Sequence, residues 1–499
     1  MSLKTPMRAA RTRTVAVVTG AFLFGLISAC TMEPRYKQPV LPVPDQWPIP
    51  ATTAGTTPAA PAPAAAEAQA MAVRDIGWHD FFADTRLQNL IAAALVNNRD
   101  LRVAILNIEK ARAQYRIQRS VLFPSINASG NFTREKLPPA LTFGTESFTS
   151  NIYQAGVGIS NYEVDLFGRV RSLTHSALEQ YLAQEEARRS AQLSLIAEVA
   201  NAYLTLASDK DLQHLALQTL ESQEHSFELA RRSHDAGATS GLDLAQAQTT
   251  VEQARADAAR YEGNVAQDID ALTLLVGEPL EPTWVPEEFD AKTMGLEALP
   301  AGLPSDVLLR RPDVLEAEHL LRSANGNIGA ARAAFFPTIS LTTSIGSASE
   351  DLSHLFKSGS GTWTFSPTIS LPLFHGGEIV GNLSLANTNQ KIAVAQYEKA
   401  VQTSFREVAD ALALTATLNR QRAAQEALVA ATGRAYELSQ QRYKAGRDSF
   451  LDVLVSQRSD YSAQQGLIAT RLAEQTNRVN LYTELGGGWR EQTQKSANP

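Results

Sequence analysis

The sequence predicts a mainly helical protein with a small transmembrane β part, and three observations carry that prediction. The chain of 499 residues repeats itself with a period of about 210 residues. Several long segments lack both glycine and proline, and four short segments alternate apolar with polar residues. A period this long is not that of a solenoid, whose repeats are a few dozen residues. We therefore expect each half of the chain to carry the same order of helices and strands.

The duplication is visible in three pairs of motifs. A Phe-Pro pair at 123–124 returns at 336–337, Leu-Phe-Gly at 166–168 returns within Leu-Phe-His-Gly at 373–376, and Ala-Gly at 236–237 returns at 445–446. Counted from Pro124 to Pro337, from Gly168 to Gly376 and from Gly237 to Gly446, the offsets are 213, 208 and 209 residues. We expect a first repeat over residues 76–290, a second repeat over residues 291–490 and a C-terminal tail over residues 491–499.

The N-terminus has the pattern of a lipoprotein signal peptide over residues 1–29. Three arginines precede a short apolar run, which is too short to span a bilayer, and small residues follow it. The segment Ile27-Ser28-Ala29-Cys30 resembles a bacterial lipobox, which implies a lipid such as palmitate on Cys30. Cys30 is also the only cysteine, so the chain forms no internal disulfide. The alternative is an ordinary secreted protein with one stray thiol.

Residue 31 and the composition of the next segment bear on where the protein goes. Thr31 stands where enterobacterial lipoproteins retained at the inner membrane have aspartate, which by that resemblance favours delivery to the outer membrane. Residues 30–75 form the lipidated N-terminus and a Pro- and Ala-rich tether, which cannot bury a core.

Composition and motifs exclude several classes of function. A net charge of −7 argues against nucleic acid as a partner. The chain contains no Walker loop, no dinucleotide fingerprint and no nucleophile elbow. His214 and His225 are eleven residues apart, but no carboxylate or thiol pattern accompanies them, so we expect no metal site and no cofactor. No residue pattern supports an enzyme.

Long segments without helix breakers predict packed coiled-coil helices. Asp84–Leu122 is one such segment, opened by Asp84 and Thr85 as caps. Arg169–Ala236 is another, and at 1.5 Å per residue it would reach about 100 Å if unbroken. The same pattern continues over residues 242–276, 382–444 and 450–485.

Two glycines interrupt the long helices at equivalent places and predict helical hairpins, with tips at about 236–242 and 445–450. In each copy, an Ala-Gly pair ends one helix and a serine, Ser240 or Ser449, caps the next. The alternative is one continuous helix that tolerates a glycine. Cap and breaker occur together in both copies, which favours the hairpins.

Four segments with a period of two predict strands at about 126–134, 152–160, 338–346 and 363–373. Each is near ten residues, the length that crosses an outer membrane as a tilted strand, with an apolar face toward lipid and a polar face toward water. A half-buried sheet in a soluble protein has the same alternation and remains the alternative.

The number of strands predicts the oligomer. Four strands cannot close a barrel, and an open edge in lipid leaves backbone hydrogen-bonding groups unpaired. Eight strands from two chains would leave an interior filled by side chains, whereas twelve strands from three chains leave a lumen. A polar face rich in Gly, Ser, Thr and Asn favours the lumen, so we expect a homotrimer.

One run of residues carries a resemblance to a known family. Leu303-Pro304-Ser305-Asp306-Val307-Leu308-Leu309-Arg310-Arg311-Pro312-Asp313-Val314 resembles the TolC-like outer-membrane factors, most closely the OprM-like lipoprotein channels of tripartite multidrug efflux pumps of the RND type. The similarity extends through 328–337, 165–169 and 485–489 and covers about residues 36–490. A structural role is also expected for Pro312 and Asp313, at the first turn of a helix.

The resemblance implies a fold and a function. The implied fold is a trimeric, twelve-stranded β-barrel, with four strands per chain, continued by a long barrel of coiled-coil helices. The implied function is passive export of drugs or other small toxic compounds through the outer membrane, in contact with its lipid. The implied partners are a periplasmic adaptor (a membrane fusion protein) and an inner-membrane RND transporter. Alternatives are a type I secretion duct for proteins and a lipid-anchored periplasmic coiled-coil adaptor or scaffold.

By the same resemblance, the two hairpin tips carry the adaptor contacts and the closed periplasmic gate. Three Leu451 side chains in a trimer could close a pore by dewetting, while Asp and Arg latch neighbouring helices. Helix capping is the alternative role for Asp243 and Asp452. Relatives often have an aspartate where this chain has Val455, which removes a carboxylate from the lumen at that position. The implied tip residues are Gly237, Ser240, Leu242, Asp243, Tyr443, Gly446, Asp448, Ser449, Leu451, Asp452 and Arg458.

Overall fold

The computed structural model describes residues 31–44, 47, 76–139, 147–289 and 305–493. The predicted signal peptide, the lipid site Cys30 and most of the tether lie outside the described residues. The helices are α1 (Trp78–Phe81), α2 (Thr85–Asn97), α3 (Arg99–Ser120), α4 (Arg169–Asp235), α5 (Gly241–Val276), α6 (Pro312–Ala333), α7 (Glu378–Lys444) and α8 (Phe450–Glu484). The strands are β1 (Ile126–Leu137), β2 (Phe148–Glu163), β3 (Thr338–Ser349) and β4 (Gly361–Ser370).

The prediction of one helix from Asp84 to Leu122 was wrong, because Asn98 divides it into α2 and α3. The Asn98 backbone is extended, its Oδ1 accepts a hydrogen bond from the Leu101 N–H at 2.9 Å, and its Nδ2 donates to the Leu275 carbonyl at 2.8 Å. These bonds cap α3 and satisfy a buried amide, so they replace the helical conformation that an isolated segment would favour. Asp84 caps α2, as predicted.

The structure confirms the long helices, and equivalent helices of the two repeats have nearly the same length. Helices α4 and α7 both have 67 residues, and α5 and α8 have 36 and 35. Helix α7 begins at Glu378, four residues before the predicted start, because Gly381 lies within the helix rather than ending it. Within the described part of the chain, no helix combines the length and the apolar character needed to cross a membrane.

The strands form one antiparallel sheet in the order β1-β2-β3-β4. A bulge interrupts the β2–β3 register between Ile159 and Tyr162, and Asn161 takes up the extra residue at φ +53°, a conformation that asparagine tolerates. Strand β2 is longer than predicted at both ends. Strand β4 ends at Ser370, before the predicted residue 373, and Pro372 has no N–H to continue the ladder.

The chain divides into two compact units, and each unit contains parts of both sequence repeats. Unit 1 is Met1–Pro39, Ile108–Gln184 and Ala317–Tyr397, and it contains the sheet. Unit 2 is Val40–Asn107, Glu185–Glu316 and Glu398–Pro499, and it contains the hairpins. The repeats therefore do not correspond to the compact units, because each copy contributes elements to both.

The core of unit 2 contains several buried aromatic side chains among its aliphatic residues. The rings of Phe81 and Tyr482 stack at 3.7 Å between centroids, and both side chains are completely buried. The Tyr482 hydroxyl donates to the Ile76 carbonyl at 2.7 Å, and the Tyr203 hydroxyl donates to Asp84 at 2.6 Å. Each buried phenol thus has a polar partner, which avoids the cost of an unpaired hydroxyl.

In unit 1, the segment directly after Cys30 is held in place by several polar contacts. Glu33 contacts His175 at 2.9 Å, and the Tyr36 hydroxyl donates to Glu318 at 2.9 Å. Hydrogen bonds to Glu179 and Glu33 raise the pKa of His175 to about 10, so the ring is a cation at neutral pH. The Glu33 backbone passes so near Gly329 that a Cβ there would lie 2.9 Å from the Glu33 Cα. Any side chain at 329 would push the segment away.

Candidate functional site

The first hairpin, called hairpin 1 (residues 228–249), turns at Gly237. Gly237 has φ +76°, its N–H donates to the His234 carbonyl at 2.8 Å, and the Ala238 N–H donates to the Ser233 carbonyl at 2.8 Å. This pair of bonds is the Schellman motif, which pairs carbonyls at a helix C-terminus and requires a left-handed residue. Glycine adopts that conformation without the steric cost that a Cβ brings.

The second hairpin, called hairpin 2 (residues 437–458), has the same turn 209 positions later. Gly446 has φ +69°, its N–H donates to the Tyr443 carbonyl at 2.8 Å, and the Arg447 N–H donates to the Arg442 carbonyl at 2.9 Å. The two predicted interruptions are therefore true hairpin turns. The alternative of one continuous helix is wrong for both.

Both hairpins restart with a capping box. The Ser240 Oγ accepts from the Asp243 N–H at 3.2 Å, and the Asp243 carboxylate accepts from the Ser240 N–H at 3.3 Å. Ser449 and Asp452 repeat this pair of bonds at 3.4 and 3.1 Å. Both aspartates therefore cap their helices, and their negative charge lies at the positive end of the helix dipole.

The two hairpins differ in the side-chain hydrogen bond that bridges the turn. In hairpin 2, the Arg442 Nε and Nη2 donate to both carboxylate oxygens of Asp448 at 2.6 and 2.7 Å. In hairpin 1, the equivalent positions are Ser233 and Thr239, and the Thr239 hydroxyl donates to the Ser233 Oγ. We call these two bonds the charged clamp and the neutral clamp. Arg442 was not among the residues predicted from the sequence, although a cation and an anion six residues apart across a glycine turn are a usable signal.

Charge distinguishes the clamps electrostatically as well. The bidentate hydrogen bond from Arg442 lowers the pKa of Asp448 below its ordinary value. In hairpin 1, the His234 Nδ1 instead lies 2.9 Å from the Thr239 carbonyl, to which it donates as an N–H. Hairpin 2 therefore contains a titratable, salt-sensitive bond at the position where hairpin 1 has a neutral one.

Both hairpins present a leucine to solvent at the second residue of the new helix. Leu242 is 67% exposed and Leu451 is 47% exposed in the single chain, and Val455 is exposed one turn beyond Leu451. Exposed apolar side chains repeated at equivalent positions indicate a surface that another chain covers or that lines a pore. Arg458 is exposed as well, one turn further along α8.

An apolar cluster brings the two hairpins of one chain together. Ala230 and Ala247 of hairpin 1 pack with Phe450 and Leu454 of hairpin 2, with Phe227 and Leu244 at the margin. The Tyr443 ring lies 5.5 Å from the Phe450 ring. Tyr443 is thus positioned by its contact with Phe450, a residue that was not among the site residues predicted from the sequence.

The sheet of unit 1 has one polar face and one apolar face. The polar face contains the row of paired residues that crosses all four strands at Ser129–Gly156–Gly346–Thr362. The next row, Ala128–Val157–Ile345–Trp363, lies on the apolar face. Strands β1 and β4 each have one edge that pairs with no other described strand of this chain. Such edges require partners in a membrane.

Glycines show which face of the sheet is concave. A Cβ placed on Gly158 would lie 2.6 Å from the Thr343 carbonyl oxygen, and one on Gly346 would lie 2.3 Å from the Ala155 carbonyl oxygen. Both of these glycines lie on the polar face. Side chains crowd each other on the inner side of a curled sheet, so the polar face is concave and the apolar face is convex.

Comparisons with known proteins agree with this geometry. The outer membrane efflux protein family matches residues 90–278 and 303–487, one match in each repeat. A probable efflux pump outer membrane protein TtgC of Pseudomonas putida is 48% identical over 484 residues, covering 96% of each chain. The outer membrane protein OprJ of Pseudomonas aeruginosa is 44% identical over 482 residues, covering 96% of this chain and 97% of OprJ.

Solved structures give the same result for the fold. A membrane protein from Pseudomonas aeruginosa superposes with a TM-score of 0.85 at 42% identity, over 94% of this chain and all of that one. The open state of the MtrE outer membrane channel of Neisseria gonorrhoeae superposes with a TM-score of 0.81 at 38% identity, over 93% of this chain and all of that one.

Proposed function

The chain belongs to the outer membrane efflux protein family, and from that membership we propose that its hairpin tips form the periplasmic gate of the channel. The protein is the outer-membrane duct of a tripartite efflux system. It works as a homotrimer that spans the outer membrane and extends into the periplasm. Three copies of a four-stranded sheet supply the twelve strands of the barrel.

The gate proposal is carried by one observation: an exposed leucine follows the glycine turn closely in each hairpin. Leu242 and Leu451 occupy equivalent positions, three residues after the end of a clamp. In a trimer, each of these positions is repeated three times. A ring of leucines in a narrow lumen excludes water and thereby blocks ions and polar solutes. Tyr443, Asp448 and Arg458 then hold neighbouring helices around that ring.

We also propose the finer partners and the substrates. The adaptor is a periplasmic membrane fusion protein that contacts Gly237, Ser240, Gly446 and Ser449 at the turns, and the pump is an inner-membrane RND transporter. Relatives are named as antibiotic and toluene efflux proteins, which supports small amphipathic toxicants as cargo. The duct itself is passive and has no catalytic role. Cys30 is proposed as the site of lipid attachment.

Single-channel conductance tests the gate. The purified trimer in planar bilayers should conduct several-fold more current as Leu451→Ser and as Asp452→Ala than as wild type, because the variants wet the constriction or loosen the helix start. Leu438→Ser is the matched control, since Leu438 is an equally exposed leucine on α7 before the turn. Unchanged conductance in both tip variants would remove the gate from hairpin 2.

Two cell assays test the cargo and the alternatives. A deletion strain should become sensitive to drugs and solvents, and the wild-type protein should restore resistance. A protein secretion duct would instead show loss of a secreted reporter toxin with unchanged drug sensitivity. A lipid-anchored scaffold would tolerate deletion of residues 126–134, whereas a channel would no longer insert.

A further inference from the structure

The C-terminal end of β1 differs from the rest of the apolar face, because it carries cations. Phe132 of β1 and Tyr153 of β2 lie opposite each other on that face, and their rings stack at 4.5 Å. Aromatic residues in such a place mark the level where hydrocarbon gives way to headgroups. The strand continues for five residues beyond Phe132, to Leu137. These residues therefore lie at or above the headgroup level.

Side-chain parity places two cations on the lipid side of that extension. The β1–β2 register runs without interruption from Ile126–Ile159 to Leu137–Phe148. Arg134 and Lys136 therefore lie on the same convex face as Phe132, and Glu135 lies on the concave polar face. All three side chains are exposed in the single chain. Arg134 and Lys136 therefore point outward from the barrel and away from its water-filled lumen.

The direction of β1 sets the side of the membrane. Helix α3 ends at Ser120 and β1 starts at Ile126, so the Ile126 end of the strand is the end connected to the periplasmic helices. The Leu137 end, with Arg134 and Lys136, is consequently the end toward the cell exterior.

The height of the apolar face agrees with this placement. Apolar-face residues run along β3 from Ile339 to the Ser349 that pairs with Tyr153. That run is eleven residues, and its ten steps of about 3.3 Å make about 33 Å of strand. Inclined by about 40°, it covers about 25 Å, which is the apolar band of an outer-membrane barrel. Arg134 and Lys136 therefore lie just beyond the outer limit of this apolar band.

We propose that Arg134 and Lys136 bind the phosphate groups of a phosphorylated glycolipid in the outer leaflet. Outward-facing cations above an aromatic belt complement an anionic headgroup, and a guanidinium donates two parallel bonds to phosphate. Protection of a free strand edge is the competing role for such charges. In a closed twelve-stranded barrel of three chains, β1 would pair with a strand of a neighbouring subunit, which leaves no free edge there to protect. The site binds lipid around the barrel and is independent of the gate.

Native mass spectrometry of the purified full-length trimer tests the proposal. The trimer in non-ionic detergent is titrated with bisphosphorylated lipid A, and bound lipid is counted. Lys136→Gln alone should weaken binding roughly five-fold, and Arg134→Gln with Lys136→Gln roughly twenty-five-fold, because each lost cation removes about the same attraction. Glu135→Gln is the matched control on the opposite face, and it should bind like wild type.

Three further arms identify the ligand chemistry. Dephosphorylated lipid A should bind the wild type as weakly as the double variant binds the phosphorylated form. Phosphatidylglycerol should bind more weakly than lipid A. Inorganic phosphate at the same concentration as lipid A should not displace the bound lipid A. Equal affinity of wild type and double variant would overturn the site. Equal binding of phosphatidylglycerol or displacement by free phosphate would overturn the glycolipid assignment. Exposed side chains are changed, so the melting temperature without lipid should stay constant.

Discussion

Hairpins 1 and 2 have the same backbone and different chemistry at the clamp. Both turn on a left-handed glycine, and both restart with a Ser–Asp capping box. The turn is then closed by two hydroxyls in hairpin 1 and by an arginine–carboxylate pair in hairpin 2. The two copies thus share the backbone geometry that the helical reversal requires, while the clamp position holds two chemically different pairs that both hydrogen-bond across six residues. Only hairpin 2 closes its turn with a charged pair.

The largest expected effect falls on the shared feature and is equal in both hairpins. Gly237→Ala and Gly446→Ala should each destabilise their turn by about 1–2 kcal/mol, the cost of a left-handed residue with a Cβ. A Cβ at either position meets no atom within 4 Å, so backbone strain is the whole cost. Hydrogen exchange of the tip amides measures it. A cost confined to one hairpin would show that the two turns are not equivalent.

A smaller effect should separate the hairpins. Asp448→Asn should speed hydrogen exchange at the tip of hairpin 2 at low salt, because the variant has no carboxylate to pair with Arg442. The difference from wild type should shrink in molar salt, because both side chains are exposed and screened. Thr239→Ala is the matched control in hairpin 1, and its effect should not depend on salt.

A charge swap sharpens that comparison. Arg442→Asp combined with Asp448→Arg restores a cation–anion pair across the turn and should restore most of the protection. Recovery would assign the effect to the pair. Persistent fast exchange in the double variant would mean that the original geometry, and not the charge pairing, holds the turn.

The smallest effect is the dependence on pH that the charged clamp adds to hairpin 2. Arg442 lowers the pKa of Asp448 in the folded protein below its ordinary value of 3.8. The charged clamp therefore contributes its full stability above pH 3.8 and loses it as the pH falls through the lowered folded pKa. Hairpin 1 also contains acids, namely the capping Asp243 and Glu228, whose pKa Arg232 lowers, so the Asp448→Asn variant is the reference that isolates Asp448. Exchange at the tip of hairpin 2 should accelerate more in the wild type than in Asp448→Asn below pH 4. Equal acceleration would mean that the clamp adds nothing.

The sequence by itself determined the features that depend on local chemistry. Runs without glycine or proline predicted α4 and α7 to within a few residues, because nothing local interrupts them. An Ala-Gly pair followed by a serine predicted both turns, since few residues adopt positive φ or cap a helix. Alternation predicted the sheet, and the count of strands with free edges predicted the trimer.

Only the tertiary structure decided features that depend on distant partners. Asn98 breaks a helix because its amide reaches the Leu275 carbonyl, 177 residues away, which no local pattern records. Phe450 joins two hairpins because the fold brings Ala230 and Ala247 beside it. The units also combine both repeats, since contacts form between elements that are close in space and distant in sequence. A sequence states which conformations each segment prefers, and packing chooses among them when a remote contact outweighs that preference.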